Sequence, residues 1–589
     1  MKTLASPRNL TVEAIPPKSV RKLAEGHWFI DFARASFGTL AMVVETARTT
    51  TATLHLGEKL EAADQVDRNP PGSVRYHALT LPLEAGRQCL QAVIPPDTRN
   101  TGPSAIRMPD NLFEVMPFRY AEIVVEDGAG VSLHEARQLA VVYPFDNSAA
   151  DFRCDDDRLN AVWELCKHTI KATSFCGVYV DGDRERIAYE GDAYINQLCH
   201  YGVDAEYEMA RRTIEHLLFH PTWPTEWSLH CVPMVWADYQ YTGRTDLIRA
   251  YFELLMRKAL LSLDRGDGLI SVETDRLTPQ VLADLFLSQS LKDLVDWPPG
   301  SFTDGGQGER DGYDMVPVKT VINAFHAWNL ELLAEMAAAI GKSGDAGRLR
   351  ERHRRVRQRL HEICFRQDRG CFTDGEGSGH ASLHANMFPA AFGLVPVGCE
   401  QSVLSFIRSR GMACSVYGAQ YLLEACYRLG ASGYALDLMT AEHDRGWCHM
   451  LRSGSTMTWE AWDHRYKNNL DWNHAWGAAP ANIIPRFLAG VRPLTPGFES
   501  ALLAPSPGRL TEFEAKVPTQ NGPIIINYDA LSPGKRWLLI QSPVPLSLDM
   551  RGLNGGSVTP AATGELLPPG RHEIAVKSSE PATGSAETR

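Results

Sequence analysis

Asp155–Ile170 reads DDDRLNAVWELCKHTI, and the fold turns on it. Leu159, Val162, Cys166 and Ile170 recur at spacings of three and four, the period of one helix face. Asp155, Asp156 and Asp157 stand where acids favour a helix start. Upstream the pattern is that of strands. Trp28–Phe32, Gly38–Val44, Thr51–Leu56 and Ala121–Val125 are short runs rich in β-branched and alternating residues. Pro70-Pro71-Gly72 and Pro95-Pro96-Asp97 punctuate them. Residues 1–148 are therefore expected to form a β-sandwich rather than βαβ units. Downstream, helical patterns dominate: Glu206–Phe219, Asp246–Leu263, Val318–Ile340, Ala346–Cys364, Gly418–Leu429 and Ala475–Leu488. Roughly a dozen such segments are too many for a simple bundle. The region 149–490 predicts a toroid of six helical hairpins, an (α/α)6 barrel with an axial pocket lined by loops and helix ends. Pro493, Pro496, Pro505 and Pro507 mark a linker. Phe513–Val517, Ile524–Tyr528, Trp537–Ile540 and His572–Val576 then read as strands, giving a second β-sandwich over 491–577. Residues 578–589, rich in Ser, Glu, Ala and Thr, are expected to be a disordered tail. The expected architecture is multidomain α and β, a central (α/α)6 toroid flanked by N- and C-terminal β-sandwich domains.

Composition narrows the function classes. The 589 residues exceed one core, so two to four domains are expected. A formal charge of −12 disfavours nucleic acid and anionic membrane surfaces, which reward basic faces. The twelve cysteines run from Cys89 to Cys448 without a CxxC pair, a pattern of buried thiols rather than disulfides or structural zinc. No run approaches a membrane span or a signal peptide, so a cytoplasmic chain, monomer or homodimer, is expected. HExxH, P-loop and GxSxG motifs are absent from the sequence.

Just past the first helix, Val180–Asp192 reads VDGDRERIAYEGD. Five carboxylates (Asp181, Asp183, Glu185, Glu190, Asp192) are interleaved with Arg184, Arg186 and Tyr189. A solvated charged turn is the plain alternative. Against it stand the apolar and aromatic flanks, Val178–Val180 and Tyr194-Ile195. Gly191 predicts a turn into a helix with Asp192 as its N-cap. Far downstream, Glu460 lies in STMTWEAW, between Trp459 and Trp462. Two acids from distant parts of a chain, meeting in one pocket, are what acid/base cleavage of a glycosidic bond requires. One must keep its proton, through apolar surroundings or like charge. Asp181, Asp183 and Asp192 supply like charge to Glu185; Arg184 and Arg186 oppose it unless they point outward. Sugar rings also need stacking surfaces. Trp223, Trp227, Trp236, Trp297, Trp447, Trp459, Trp462, Trp472 and Trp476 all fall in the helical region, where core packing is the plain alternative. Asp296-Trp297 pairs an acid with a stacker as a sugar clamp would, and His474 is placed to bond a hydroxyl or Glu460. His380, His384 and Asn386 are weaker candidates.

At these residues the chain resembles the α-L-rhamnosidases of glycoside hydrolase family 78. DGDRERIAYEGDA is similar to that family's DCPQRERLGWTGDA, one residue shorter before RER. RGWCHMLRSGSTMTWEAW is similar to its GW-x-x-M and G-x-T-T-x-W-E block, LDWNHAWGA to its NH-x-x-x-G, and VDWPPG to its GDW loop. The resemblance runs in order over most of the chain, including IDFARASFGTL and GVRPLTPGFESALLAPSPG in the β regions. It implies Glu185 as general acid and Glu460 as general base of an exo-acting, inverting hydrolase that removes terminal α-L-rhamnose. It implies substrate contacts from Asp181 or Asp183, Tyr189, Asp192, Asp296, Trp297, His474 and, more loosely, Trp227. Arg184 and Trp459, next to the two glutamates, complete the expected substrate-binding set. No cofactor and no metal are implied, and the partner is a carbohydrate or rhamnosylated small molecule. The departures are Ala188-Tyr189 for Gly-Trp, Glu190 for Thr, and the missing Cys-Pro-Gln; Glu190 is expected to alter subsite polarity. Alternatives are an (α/α)6 hydrolase or lyase for another sugar such as a uronide, or an inactive carbohydrate-binding relative.

Overall fold

The computed structural model describes residues 3–6, 8–125, 130–300, 308–530, 535–554 and 566–577. The expected tail at 578–589 lies outside them. The N-terminal part is an antiparallel sheet of eight strands. Its path runs Thr11–Ile15, Val131–Val142, His27–Thr46, Met116–Val125, Thr50–Gly57, Tyr76–Leu83, with Ser19–Ala24 and Gly86–Gln91 also paired to His27–Thr46. Alternation explains its core: Ala52, Leu54 and Leu56 turn inward against Ile30, Phe118 and Ile123.

The helical part comprises α1 Asp157–Thr173, α2 Glu190–Val203, α3 Glu208–Phe219, α4 Thr225–Thr242, α5 Asp246–Lys258, α6 Pro279–Asp284, α7 Thr320–Ala339, α8 Ser343–Cys364, α9 Leu383–Ala391, α10 Glu400–Arg410, α11 Val416–Arg428, α12 Ser432–Met439, α13 Trp447–Arg452 and α14 Pro480–Ile483. Asp156 caps α1 through the Arg158 N–H. α2 packs on α4, α4 on α7, α7 on α9, α9 on α11, α11 on α14, and α14 returns to α2. Every residue of α2 and α9 is buried, as helices enclosed on all sides must be. α3, α5, α8 and α10 keep exposed faces and pack outside this ring.

Two sequence expectations are corrected here. Asp192 is not an N-cap: α2 begins two residues earlier, after Tyr189, and Asp192 lies in its first turn. Ala475–Leu488 is not one helix. It divides into a 3-10 turn at Ala475–Ala478, α14, and a π turn at Ile484–Leu488, because Pro480 and Pro485 lack the N–H that would continue an α-helix.

The C-terminal five-stranded antiparallel sheet runs Asp151–Cys154, Glu512–Val517, Ile524–Asp529, Lys535–Ser542, Gly570–Lys577. Its first strand comes from just before α1, so the chain leaves this sheet, builds the helical part, and returns to it. A smaller sheet joins Val491–Pro493, Ala501–Leu503 and Leu546–Leu548. Ten of the twelve cysteines are buried and all are unbridged. Among the described residues no helix is long and apolar enough to cross a membrane.

Candidate active site

The segment between α1 and α2 folds back on itself. Asp181 N–H donates to Ile187 O and Ile187 N–H to Asp181 Oδ1, both at 2.9 Å. Arg186 adopts a left-handed φ of 54° inside this turn. The N-terminal sheet region holds the segment in place. Arg75 Nε meets Asp183 Oδ2 at 2.7 Å, and Asn100 donates to Asp183 O at 2.8 Å. Arg186 pairs with Glu114 at 2.6 Å and donates to Val115 O at 2.8 Å. The same sheet region grips the downstream segment: Ser73 N–H donates to Leu470 O, and Asn473 reaches Glu58. Burial pushes Glu58 up to about 8, against the bonds it accepts from Arg75 N–H and Asn473. The two segments then meet, Asp183 N–H donating to Asn473 Oδ1 at 2.8 Å. Gly182 is required there, since a Cβ would sit 2.8 Å from Asn473 O.

They enclose a cavity of about 270 Å³. Glu185, Glu460, Arg184, Tyr189, Asp192, Trp227, Trp297 and His474 all line it. Glu185 is 36% exposed at the mouth, whereas Glu460 is 3% exposed. Arg184 joins them. Its Nη2 lies 2.8 Å from Glu460 Oε1 and 3.5 Å from Glu185 Oε1, so those oxygens are separated by at most the sum of these lengths, 6.3 Å. Arg184 Nη1 donates to Glu460 Oε2 at 2.9 Å, and Lys467 approaches the same oxygen at 3.1 Å. Tyr189 OH donates to Glu185 Oε2 at 2.9 Å. Arg184 and Arg186 both turn inward.

His474 places Nε2 2.9 Å from Asp192 Oδ1 and Nδ1 3.3 Å from Asp471 Oδ1. Burial works against its charge, but Asp471 and Asp192 raise its pKa well above the usual 6.5. Burial raises Asp192, and His474 opposes it. Burial would raise Asp471 too, yet His474, Arg184 and Lys467 bring it below the usual range. Glu460, Asp471 and His474 could each turn one atom toward a metal ion. Arg184 and Lys467 already stand against Glu460, and both imidazole nitrogens face carboxylates, so the charge a cation would supply is present in side chains.

Four expected contacts do not line the cavity. Asp183 is buried among Arg75, Asn100 and Arg186 and anchors the segment instead. Asp181 is buried with Oδ2 unpartnered, and burial, then Glu185, raises its pKa well above the carboxylate range. Asp296 spends both oxygens on His384 Nε2 at 2.7 Å, on Ser415 N–H at 2.9 Å and on the Ser415 hydroxyl. Trp459 stacks on Trp472, ring centres 4.9 Å apart. His380 pairs with Asp374, and Asn386 ties off Phe372. Glu190, expected to alter the subsite, points away to Thr222. The cavity adds Trp223, Trp476, Lys467, Asn469, Pro224 and Leu294. The two tryptophans were visible as aromatics of the helical region; Lys467, in RYKNN, carried no signal. Gly191 lets the Trp227 indole lie flat against α2, where a Cβ would come within 2.9 Å of the ring.

The chain and its fold are similar to those of known proteins. The model of the bacterial alpha-L-rhamnosidase 6 hairpin glycosidase domain matches residues 147–488. An α-L-rhamnosidase of Alteromonas sp. (strain LOR) is 23% identical over 262 residues, 42% of this chain and 27% of that protein. The fold is similar to that of Streptomyces avermitilis α-L-rhamnosidase complexed with L-rhamnose (TM-score 0.72, 17% identity, 97% of this chain and 54% of that one). It is also similar to Aspergillus terreus α-L-rhamnosidase (TM-score 0.73, 16% identity, 97% and 64%). The chain thus spans about a quarter of the Alteromonas protein's length and less than two thirds of either structure.

Proposed function

This chain belongs to the bacterial α-L-rhamnosidase six-hairpin glycosidase family, and from that premise we propose that it is an exo-acting, inverting hydrolase of terminal α-L-rhamnosides. The ring of α2, α4, α7, α9, α11 and α14, with its outer partners, is read as the (α/α)6 toroid, and the two flanking β regions as sandwiches. The observation that carries the function is that Glu185 and Glu460, from distant segments, reach one cavity and are bridged by Arg184.

Glu185, exposed at the mouth and oriented by Tyr189, gives its proton to the departing glycosidic oxygen as the anomeric C–O bond breaks. Glu460, on the buried side, takes a proton from the water that adds to the anomeric carbon. The bound of 6.3 Å, taken between one oxygen of each carboxyl, includes the roughly 5–5.5 Å of retaining enzymes and falls just short of the roughly 6.5–9.5 Å of inverting ones, so the spacing itself does not favour inversion. Inversion is supported by the setting of Glu460: Arg184 and Lys467 engage both its oxygens, so neither is bare for attack on carbon. Trp223, Trp227, Trp297 and Trp476 offer stacking faces. A neutral sugar suits the cavity better than a uronide, because Arg184, Lys467 and His474 each already face a protein carboxylate. Pro224 and Leu294 provide an apolar patch for the methyl group of a 6-deoxy sugar.

Hydrolysis of 4-nitrophenyl glycosides, with proton NMR of the first sugar released, tests this. Turnover of the α-L-rhamnoside with β-L-rhamnose appearing first is expected. Turnover of a uronide in its place, or first release of the α anomer, would overturn the substrate or the stereochemistry respectively.

A further inference from the structure

The ring helices carry a second cavity, at their other ends. α2 gives Asp192 to the active-site cavity and Tyr194 and Leu198 to this one; α4 gives Trp227 to the first and Trp236 and Tyr241 to the second. The second cavity measures about 450 Å³, within the size range of small-molecule sites. Four arginines line it: Arg357 on α8, Arg428 at the end of α11, Arg486, and Arg492 on the strand Val491–Pro493, with Glu331, Glu335 and Glu424 also in its wall.

Arg486 is satisfied, donating to Glu424 at 2.7 Å and to Asn482 at 2.9 Å. Arg428 and Arg492 are not. Arg428 Nε and Arg492 Nε and Nη2 are screened from solvent and donate to no acceptor. Among the described residues, neither has a carboxylate within ion-pair distance. Asp549, which acts on Arg492 from a distance, is already paired with Arg551 at 2.5 Å. Burial pushes Arg492 down to about 10, and Arg428 and Arg486 push the same way. The negative end of α11 offsets part of the charge on Arg428 but gives the orphaned N–H groups no acceptor. Screened guanidinium donors are ordinarily matched by an acceptor, since leaving them unmatched costs free energy. Trp236 and Trp328 supply flat apolar walls beside them.

We propose that this cavity binds a small oxyanion, a phosphate or the carboxylate of an acidic sugar, through Arg428 and Arg492. The two guanidiniums meet the anion's oxygens, and the tryptophans accept the body of an organic ligand. This site is independent of the activity proposed above.

Isothermal titration of the full chain with inorganic phosphate and with D-glucuronate, at constant ionic strength against chloride, tests it. One saturable site for at least one of the two is expected, and which one responds distinguishes the sources. R428Q and R492Q should each weaken it about tenfold or more, the worth of a charge-assisted hydrogen bond. E460Q should bind as the parent does. Absence of saturable binding by both probes, binding unchanged in both arginine variants, or displacement of the anion by L-rhamnose would overturn the proposal. If R492Q does not fold, R428Q alone decides, because Arg428 is a partly exposed helix-end residue.

Discussion

The two ends of the ring helices handle charge in opposite ways. At the N-terminal ends, around Glu460, each cation faces a carboxylate: Arg184 and Lys467 on Glu460, His474 between Asp192 and Asp471. At the C-terminal ends, Arg428 and Arg492 face a cavity with no carboxylate paired to either among the described residues, Arg492 lying over the Phe487 ring. The difference teaches what each end is prepared for. Mutually paired charges are held in fixed positions and demand no ionic ligand, which suits chemistry on a neutral sugar. Unpaired cations hold an affinity in reserve.

The largest expected effect breaks the near end. E460Q should lower kcat/KM by an amount toward the upper end of the about 10²–10⁴-fold range of proton-transfer catalysis, on any α-L-rhamnoside. E185Q should match that loss only on glycosides with poor leaving groups. On the 4-nitrophenyl glycoside its loss should be smaller, because nitrophenolate departs without a proton. Kinetics on an alkyl and a nitrophenyl rhamnoside separate the two roles; equal losses on both substrates would contradict the assignment.

Next in size is D183N, which tests whether pairing holds the near end to the sheet region. Breaking the buried contacts to Arg75 and Arg186 should cost about 3 kcal/mol of stability, seen as a lower denaturant midpoint. A midpoint equal to the parent's would mean that these ion pairs do not anchor the segment.

The smallest effect is one of pH. The folded pKa of His474 is raised, so the stability its charge contributes is complete below about 6.5 and is lost as pH rises through the higher folded value. H474N should therefore cost most stability near about pH 6 and progressively less toward alkaline pH. Melting curves of both proteins across that range check it; a cost that grows with pH would reverse the sign.

Much of the architecture was legible in the residues. The change of period at Asp155 separates strands from helices, and the flanks of Glu185 and Glu460 mark both as more than surface acids. Asp183 and Asp296 show where legibility stopped. Both sit beside site residues and share their chemistry, yet one is consumed by Arg75 and Arg186 and the other by His384 and Ser415. Asp151–Cys154 likewise reads as a prelude to α1, but its hydrogen bonds go to Glu512–Val517.

Taken alone, the order of residues determined where strand patterns give way to helical ones and back again, because periodicity acts over a few positions. It also placed the two glutamates in recognisable settings. Only the tertiary structure decided which acids face the cavity, which are spent on anchoring it, and which arginines are left without a paired carboxylate. Arg184 and Glu460 are 276 positions apart, and pairing at that range depends on how sheets and helices pack, which local sequence does not encode.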